Sequence, residues 1–425
     1  MTTANDRKPL GFLSLLTLGI NGTIGVGIFF APAEIAKEAA GYSGAWVFLL
    51  AGLALLPVAF VYSHLGGRFA EDGGPYVWAR MAFGPRSAFL IGFLTYVSAM
   101  FSTATVATGL SKHLSLAAGP DFWLGQKGIA VVATLSLALA AATGLRLSSL
   151  AWTSLTVLKL LPLILLSLVA TFAIATGSAP TAAVAAADEH TQQLGRALLI
   201  VVFALQGFEI VPVLAGSSQS LRAVSVATLG ALGICMVFYF VLHALCVRAL
   251  PDLASQKAPL VAAADVYGGS VIARIVSIGQ IISALGIAFG QTVTTPRYLA
   301  TLGRADGLGA WIGTEDARRV PQRALWITTG AVIACVLRND LGDLFALSSI
   351  SVLAQYTVAT LAITVLAQRG LHGVARAQRY WALPALIGIL LVAQGASARE
   401  LVTTAGVTAL GGLILLARRN QTARY

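Results

Sequence analysis

Long apolar runs recur along nearly the whole chain, separated by short polar stretches. Each run is about 20 residues long, enough for a helix to cross a hydrocarbon core of about 30 Å. The runs lack the apolar–polar alternation of porin strands, and backbone facing lipid must satisfy its own hydrogen bonds, so we predict helices. About twelve spans are predicted, at residues 11–32, 44–65, 86–111, 127–144, 149–177, 194–216, 223–250, 269–300, 323–337, 343–368, 379–397 and 401–417.

The composition agrees with an all-α membrane protein. Hydrophobic residues make up 57% of the chain and charged residues 11%, and the mean hydropathy of +0.83 is too high for a soluble domain. No stretch between the spans is long enough for a second domain, so residues 1–425 are predicted to form one transmembrane transporter domain. Residues 1–10 and 418–425 are its predicted ends, and the first helix is expected to remain as an anchor because no cleavable signal precedes it.

The net charge of +11 is spread along the loops rather than gathered into one patch, which argues against nucleic-acid binding. With the N-terminus in the cytoplasm, most Lys and Arg residues fall on the cytoplasmic side, in loops 297–323 and 369–379 and in the tail. This bias predicts a multi-pass protein of the plasma membrane, the inner membrane of a bacterium, with both termini cytoplasmic. The three cysteines show no paired spacing, so neither a disulfide framework, a metal site nor a cofactor is expected.

Two predicted spans carry features that interrupt a helix in mid-membrane. In the sixth span, Gly207 and Pro212 flank the acid Glu209. In the first span, the stretch 21–29 holds Asn21 and three glycines. Paired interruptions of this kind indicate an inverted-repeat transporter whose substrate site lies at the breaks. The alternative, that the glycines only allow close helix packing, stays open.

An interrupted pair of helices suits an amino-acid zwitterion. Free N–H groups at a half-helix N-terminus can bind a carboxylate, and unwound carbonyls can bind an ammonium group. No catalytic residue is needed, so an enzyme is not expected. Lys159 and Glu209 are the two charges deep in predicted helices, and such charges mark functional sites. Lys159 could exchange a proton during transport, or act as a fixed tether to backbone carbonyls or the interface.

Residues 57–84 carry the pattern Tyr62-x-x-Leu65, Gly74-x-Tyr76 and Phe83-Gly84. In this stretch the chain resembles the amino acid-polyamine-organocation permeases, whose second helix and following loop have the same pattern. Further matches occur in chain order, at residues 25–29, 207–209 with 215–216, and 297–300 with 306–307. The resemblance implies two inverted five-helix repeats plus two helices, with helices 1 and 6 broken, and alternating-access transport of amino acids or related amines.

The resemblance also implies roles for individual residues. Glu209, Tyr96 and Tyr356 would form a gating cluster, although either tyrosine could be a packing residue instead. Lys159 would occupy the place of a sodium ion in sodium-coupled relatives and serve coupling, which argues against sodium as the driver. Phe203 would stack on or cap the substrate. The full set of implied substrate-binding residues is Asn21, Thr23, Ile24, Gly25, Val26, Gly27, Phe203, Gln206, Gly207, Gln291 and Thr292.

The chain departs from the family pattern at three places. His64 stands where the family often has an acid, Ser217 replaces a common acid, and the usual proline after Gly307 is absent. His64 could act as a pH sensor or simply as a hydrogen-bonding histidine at the interface. These departures place the standard subfamily assignment in question.

The predicted function is secondary active transport of an amino acid, by proton-coupled symport or by exchange. The nearest alternative is a polyamine or amine antiporter, or an amino-acid exporter, in which Glu209 binds a second amine. A non-transporting sensor or subunit is a third reading. No phosphate-binding loop of the ATP-driven transporters occurs, and a channel lacks its charged ring. The expected partners are a small-molecule substrate, protons in the symport version, and membrane lipid.

Overall fold

The computed structural model describes residues 10–69, 74–119, 123–144, 149–179, 193–305 and 308–422. Within these ranges every regular element is helical, apart from one isolated bridge between the backbones of Leu10 and Ser218. The all-α prediction is thereby confirmed for the described residues. The predicted N-terminal segment before Leu10, most of the 178–193 loop and the motif residues 306–307 lie outside them.

Sixteen helices follow one another through the described ranges. In chain order they are α1 (Phe12–Thr23), α2 (Gly27–Glu38), α3 (Tyr42–Gly66), α4 (Pro75–Phe83), α5 (Pro85–Ala118), α6 (Gly125–Ala142), α7 (Ser149–Ala175), α8 (Leu194–Leu205), α9 (Ile210–Val213), α10 (Leu221–Ala249), α11 (Pro259–Ala305), α12 (Ala310–Gly313), α13 (Gln322–Arg338), α14 (Leu341–Arg369), α15 (Ala382–Ala393) and α16 (Ala398–Thr422).

Eight of the described helices are long and apolar enough to cross a membrane, and the bent pair α1 and α2 would add a ninth. Helices α8, α13 and α15 have 12, 17 and 12 residues and fall below that length. The structure is therefore that of a multi-pass membrane protein. Twelve spans in two inverted repeats remain a prediction.

Several helix boundaries differ from the predicted spans. Between α3 and α5 the chain forms α4, a short helix that lies in none of the predicted spans. The eighth predicted span begins at Gly269, where a φ of 71° kinks α11. The eleventh begins late because a 3₁₀ helix occupies Arg376–Trp381. Helix α16 continues to Thr422 and so includes the first residues of the predicted cytoplasmic tail, 418–425, whose location stays a prediction.

Two faces of the helix bundle can be told apart by backbone contacts. The bridge between Leu10 and Ser218 joins the start of α1 to the end of the sixth predicted span, and we call this end the N-terminal face. At the other end the Gln193 N–H donates to the Glu38 carbonyl at 2.9 Å, and we call this end the far face. Helices α2 and α8 pack together toward the far face, whereas α1 packs with α9 toward the N-terminal face.

Candidate substrate site

The chain between α1 and α2 is unwound at residues 24–26, the first break, and the two helices meet at a 45° bend. Two side chains bind the carbonyls that the break leaves open. Lys159 donates its Nζ protons to the carbonyls of Asn21 and Ile24, each at 2.6 Å. Tyr239 donates to the carbonyl of Thr23 at 2.9 Å. Because Lys159 is only 4% exposed, this cap is held away from water.

Residues 206–209 between α8 and α9 form the second break. Gly207 has a φ of 127°, which only glycine adopts without strain. A Cβ built on it would lie 2.4 Å from the carbonyl carbon of Gly22 and 2.5 Å from the nitrogen of Thr23. The backbones of the two breaks therefore touch. The carboxylate of Glu209 accepts the Gly207 N–H at 2.6 Å, so an acid binds the open amide of this break.

A cavity of about 520 Å³ adjoins both breaks. That volume is in the range of small-molecule sites. It extends past Tyr76 and Leu302 toward the N-terminal face, whereas toward the far face the ring of Phe203 lies 4.6 Å from that of Phe345. Among the residues that the structure describes, Glu209 is the only acidic or basic side chain that lines it. The polar residues on its other walls are Thr95, Ser98, Ser102, Gln291, Thr294, Thr295, Tyr298, Thr301 and Gln355.

The structure brings most of the predicted site residues to this cavity. Gln206 donates to the hydroxyl of Ser348 at 3.1 Å, and Gln291 donates to the hydroxyl of Ser102 at 2.9 Å. The first bond joins the second break to α14, and the second bond joins α11 to α5. The predicted residues that line the cavity are Thr23, Gly25, Val26, Gly27, Phe203, Gln206, Gly207, Glu209 and Gln291.

Three predicted substrate-binding residues do not line the cavity. Asn21 and Ile24 offer their carbonyls to Lys159 and are absent from the cavity wall. Thr292 donates to the carbonyl of Ala288 and faces a small pocket beside α6 and α13. Thr292 lies about 100° further around the helix than Gln291, and this turn directs it toward that pocket.

The predicted gating cluster is only partly present. Tyr356 is buried beside the Glu209 carboxylate. The hydroxyl of Tyr96 instead lies 3.3 Å from that of Thr328 on α13, so the structure does not place Tyr96 in the cluster. Tyr62 contacts Tyr356 with ring centroids 5.4 Å apart, and both it and Tyr298 lie within electrostatic range of Glu209.

The sequence contains a signal for the polar wall that the prediction missed. On α11 the cavity residues Gln291, Thr294, Tyr298 and Thr301 recur every three or four positions. On α5, Thr95, Ser98 and Ser102 do the same. That spacing places each set on a single helix face. Polar residues at this spacing along a predicted span therefore indicate the cavity wall.

His64 lies near the N-terminal face, away from the breaks. Its ring is 5.0 Å from that of Trp381, just before α15. Its role as a pH sensor stays a prediction. Within the described residues no group of three or more His, Cys, Asp or Glu side chains could hold a metal ion.

Comparison with known proteins supplies the family. The profile described as amino acid permease matches residues 10–404. An uncharacterized transporter of Mycobacterium tuberculosis is 29% identical over 429 residues, covering 97% of this chain and 93% of its own. The methylthioribose transporter of Bacillus subtilis is 26% identical over 85% of this chain and 82% of its own length.

The serine/threonine exchanger of the same bacterium is 22% identical over 85% of this chain and 84% of its own length. These relatives are transporters, and the resemblance carried by the motifs is confirmed. Since the profile spans nearly the whole chain, the protein belongs to the amino acid permease family.

Proposed function

We propose that the protein is a secondary active amino-acid carrier that works by alternating access, through proton-coupled symport or exchange. The observation that carries this proposal is the meeting of two helix breaks at one cavity, with caps of opposite charge. Lys159 binds carbonyls of the first break, and Glu209 binds an amide of the second. Each cap neutralises one end of its break and leaves the other end for a ligand.

The open ends fit the two charges of an amino acid. At the first break the N–H groups of Gly27 and Ile28 begin α2 and have no partner within the helix. The positive end of the helix dipole there favours a carboxylate. At the second break the last carbonyls of α8 form the negative end of that helix's dipole. They favour an ammonium group. Phe203 lines the cavity wall, and a Cβ built on Gly27 would lie 3.1 Å from its ring.

The proposal includes twelve spans in two inverted repeats of five with two further helices. The N-terminal face would be cytoplasmic, because the Arg-rich loops around residues 297–323 and 369–379 lie at that face. The cavity would then lead to the cytoplasm. We place the protein in a bacterial inner membrane with both termini inside.

The position of Lys159 supports a carrier that does not use sodium. Its ammonium group binds two carbonyls of the first break, where a cation of another kind would otherwise be needed to satisfy them. A bound proton on Lys159 would stabilise the break, and its loss would release α1, which suits proton symport. A permanently charged Lys159 that braces the break suits exchange equally.

Uptake into proteoliposomes tests the proposal. Purified protein is reconstituted with and without an inward proton gradient, and the twenty amino acids and common polyamines are tried as competitors. We expect saturable uptake of at least one amino acid. Stimulation by the gradient favours symport, and stimulation by internal amino acid favours exchange. Indifference to the whole panel under both conditions would contradict the proposal.

A carrier of polyamines or other amines is the second candidate, and Glu209 favours it. As the only acid on the cavity wall within the described part of the chain, it could bind a second ammonium group. A Glu209→Gln variant keeps the shape of the side chain and removes its charge. Loss of cationic substrates with retention of neutral ones would favour this version, whereas equal effects on both would favour a gating role.

A further inference from the structure

Arg196, near the far-face end of α8, is ion-paired with Glu400 in the first turn of α16. The guanidinium Nη1 lies 2.6 Å from Oε1 and 2.8 Å from Oε2 of the carboxylate. Side-chain exposure is 18% for the arginine and 4% for the glutamate. Of the ion pairs among the described residues, this one has the most buried acid. Charge-assisted hydrogen bonds shielded from water are the strong ones.

Further contacts hold the pair at the far face. The Ser397 N–H donates to Oε2 of Glu400 at 2.8 Å. Asp343 of α14 lies 3.8 Å from Arg196 and 3.5 Å from Arg399. The network therefore joins the start of α8 to α14 and α16. Both partners are helices without a break.

The backbone at this point is packed just as closely. A Cβ built on Gly195 would lie 3.2 Å from the Cα of Gly395, in the turn between α15 and α16. A Cβ on Gly395 would overlap the carbonyl of Gly195. Two glycines thus allow the start of α8 to rest directly on that turn.

The far-face ends of the two broken helices are also joined to each other. The Gln193 N–H donates to the carbonyl of Glu38, the last residue of α2. Since α2 and α8 also pack along their lengths, whatever holds α8 at the far face also restrains α2.

We propose that the Arg196–Glu400 network is a latch that keeps the substrate site closed toward the far face. Opening that side requires the far-face halves α2 and α8 to move away from the cavity, and α8 cannot move without separating Arg196 from Glu400. This inference rests on the alternating access of the proposed function. It adds that α16, outside the two predicted repeats, sets the balance between the two orientations of the site.

At the N-terminal face the ion pair Arg304–Glu315 is 47% and 31% exposed, and it joins the last turn of α11 to the loop that follows that helix. Exposed pairs contribute little. The buried ion pair between separate helices therefore lies at the far face, whereas the cavity extends toward the N-terminal face.

A cysteine reporter tests the latch. Ala99 lines the cavity on α5, and Ala99→Cys is introduced after replacing Cys235, Cys246 and Cys335 by alanine. In intact cells a membrane-impermeant thiol reagent reaches this cysteine only when the far side opens. In inside-out vesicles it reaches the cysteine from the N-terminal face. Amino-acid uptake by the reporter protein is measured in parallel.

Three variants weaken the latch to different degrees. Glu400→Gln keeps the bond from Ser397 and loses the charge, so external labelling should rise about tenfold, the equivalent of one charge-assisted bond. Arg196→Met combined with Glu400→Met removes both charges and leaves none buried alone, which protects folding. It should have at least the same effect. Arg399→Gln removes an exposed pair with Asp343 between α16 and α14, so it should fold and change labelling by no more than about twofold.

The matched control is Arg304→Gln with Glu315→Gln, which removes the loop pair at the other face and should leave external labelling unchanged. Labelling in inside-out vesicles should fall in the latch variants. External labelling that stays at the parent rate in variants that still take up amino acid would overturn the latch and leave the carrier function intact. Absence of both uptake and external labelling in the parent would overturn the carrier function itself.

Discussion

Both breaks leave backbone groups without helical partners, and side chains of opposite charge bind these groups. At the first break the protein supplies donors. Lys159 binds the carbonyls of Asn21 and Ile24, and Tyr239 binds that of Thr23, all at the end of α1. At the second break it supplies an acceptor, because Glu209 binds the amide of Gly207. One break is capped by a cation on another helix and the other by an anion within the break itself.

Because the caps differ in charge, the two similar breaks favour different ligand groups, and the site has a direction. If both breaks were capped alike, a ligand would meet two equivalent ends. With opposite caps, the first break keeps its amides open and the second keeps its carbonyls open. A zwitterion then has one favoured orientation, and the two caps become the places where substitution should matter most.

The largest effect is expected from Lys159→Ala. It removes two hydrogen bonds from a charged donor, worth about 1.5–3 kcal/mol each, so uptake should fall at least about a hundredfold. The control is Lys127→Ala, because Lys127 binds the carbonyl of Leu337 at the far face and should retain uptake. Comparable losses in both variants would mean that the cap on the first break has no special role.

Gly207→Ala should come next. The new Cβ would meet the backbone of Gly22, and alanine would be strained at a φ of 127°. Strain of about 2 kcal/mol corresponds to roughly a thirtyfold loss of uptake. Gly233→Ala is the control, since nothing lies within 4 Å of its Cβ position in α10. Thermal unfolding of both variants shows whether the loss is one of stability; full activity of Gly207→Ala would refute the contact between the breaks.

Glu209→Ala should reduce uptake of a neutral amino acid about tenfold, because the Gly207 amide loses its acceptor. Glu209→Gln retains a carbonyl oxygen for that amide and should stay within about threefold of the parent. Initial rates at saturating substrate compare the two. If the glutamine variant were as impaired as the alanine variant, the charge of the cap, rather than its hydrogen bond, would be what matters at the second break.

The smallest effects on uptake are expected at Tyr96 and Tyr356, and they should differ between these two residues. Tyr96→Phe removes a hydroxyl that faces Thr328, so uptake should stay within about twofold while stability falls by about 1 kcal/mol. Tyr356→Phe removes a hydroxyl beside Glu209 and should lower uptake about fivefold. Uptake and melting temperature are measured on both. A stronger transport defect in Tyr96→Phe would restore Tyr96 to the gating cluster.

Local composition was sufficient to predict many helices and both breaks. The second predicted span, 44–65, differs by a few residues from α3 (Tyr42–Gly66), and the seventh, 223–250, is similarly close to α10 (Leu221–Ala249). Length and hydropathy are properties of each segment alone. The short helix α4 was missed for the same reason, because nine residues give no long apolar run. The three glycines of residues 21–29 predicted the first break, and Gly207 with Pro212 predicted the second, because both residue types weaken a helix wherever it packs.

Which side chain meets which could not be predicted in this way. The sequence assigns Thr292 and Tyr96 to the site, but Thr292 faces the pocket beside α6 and α13, and the hydroxyl of Tyr96 faces Thr328. Glu400 was placed outside the last span, although it is buried against Arg196. Each of these outcomes depends on the rotation and register of packed helices, which a single sequence does not contain.

The sequence by itself determined that the chain is an all-helical membrane protein, that two helices are interrupted, and that Lys159 and Glu209 carry charge deep inside it. Those properties follow from the local cost of placing charge and glycine in a membrane helix. Only the tertiary structure decided what the charges do. Lys159 caps carbonyls 138 and 135 residues away, and that contact exists because packing brings α7 against the first break.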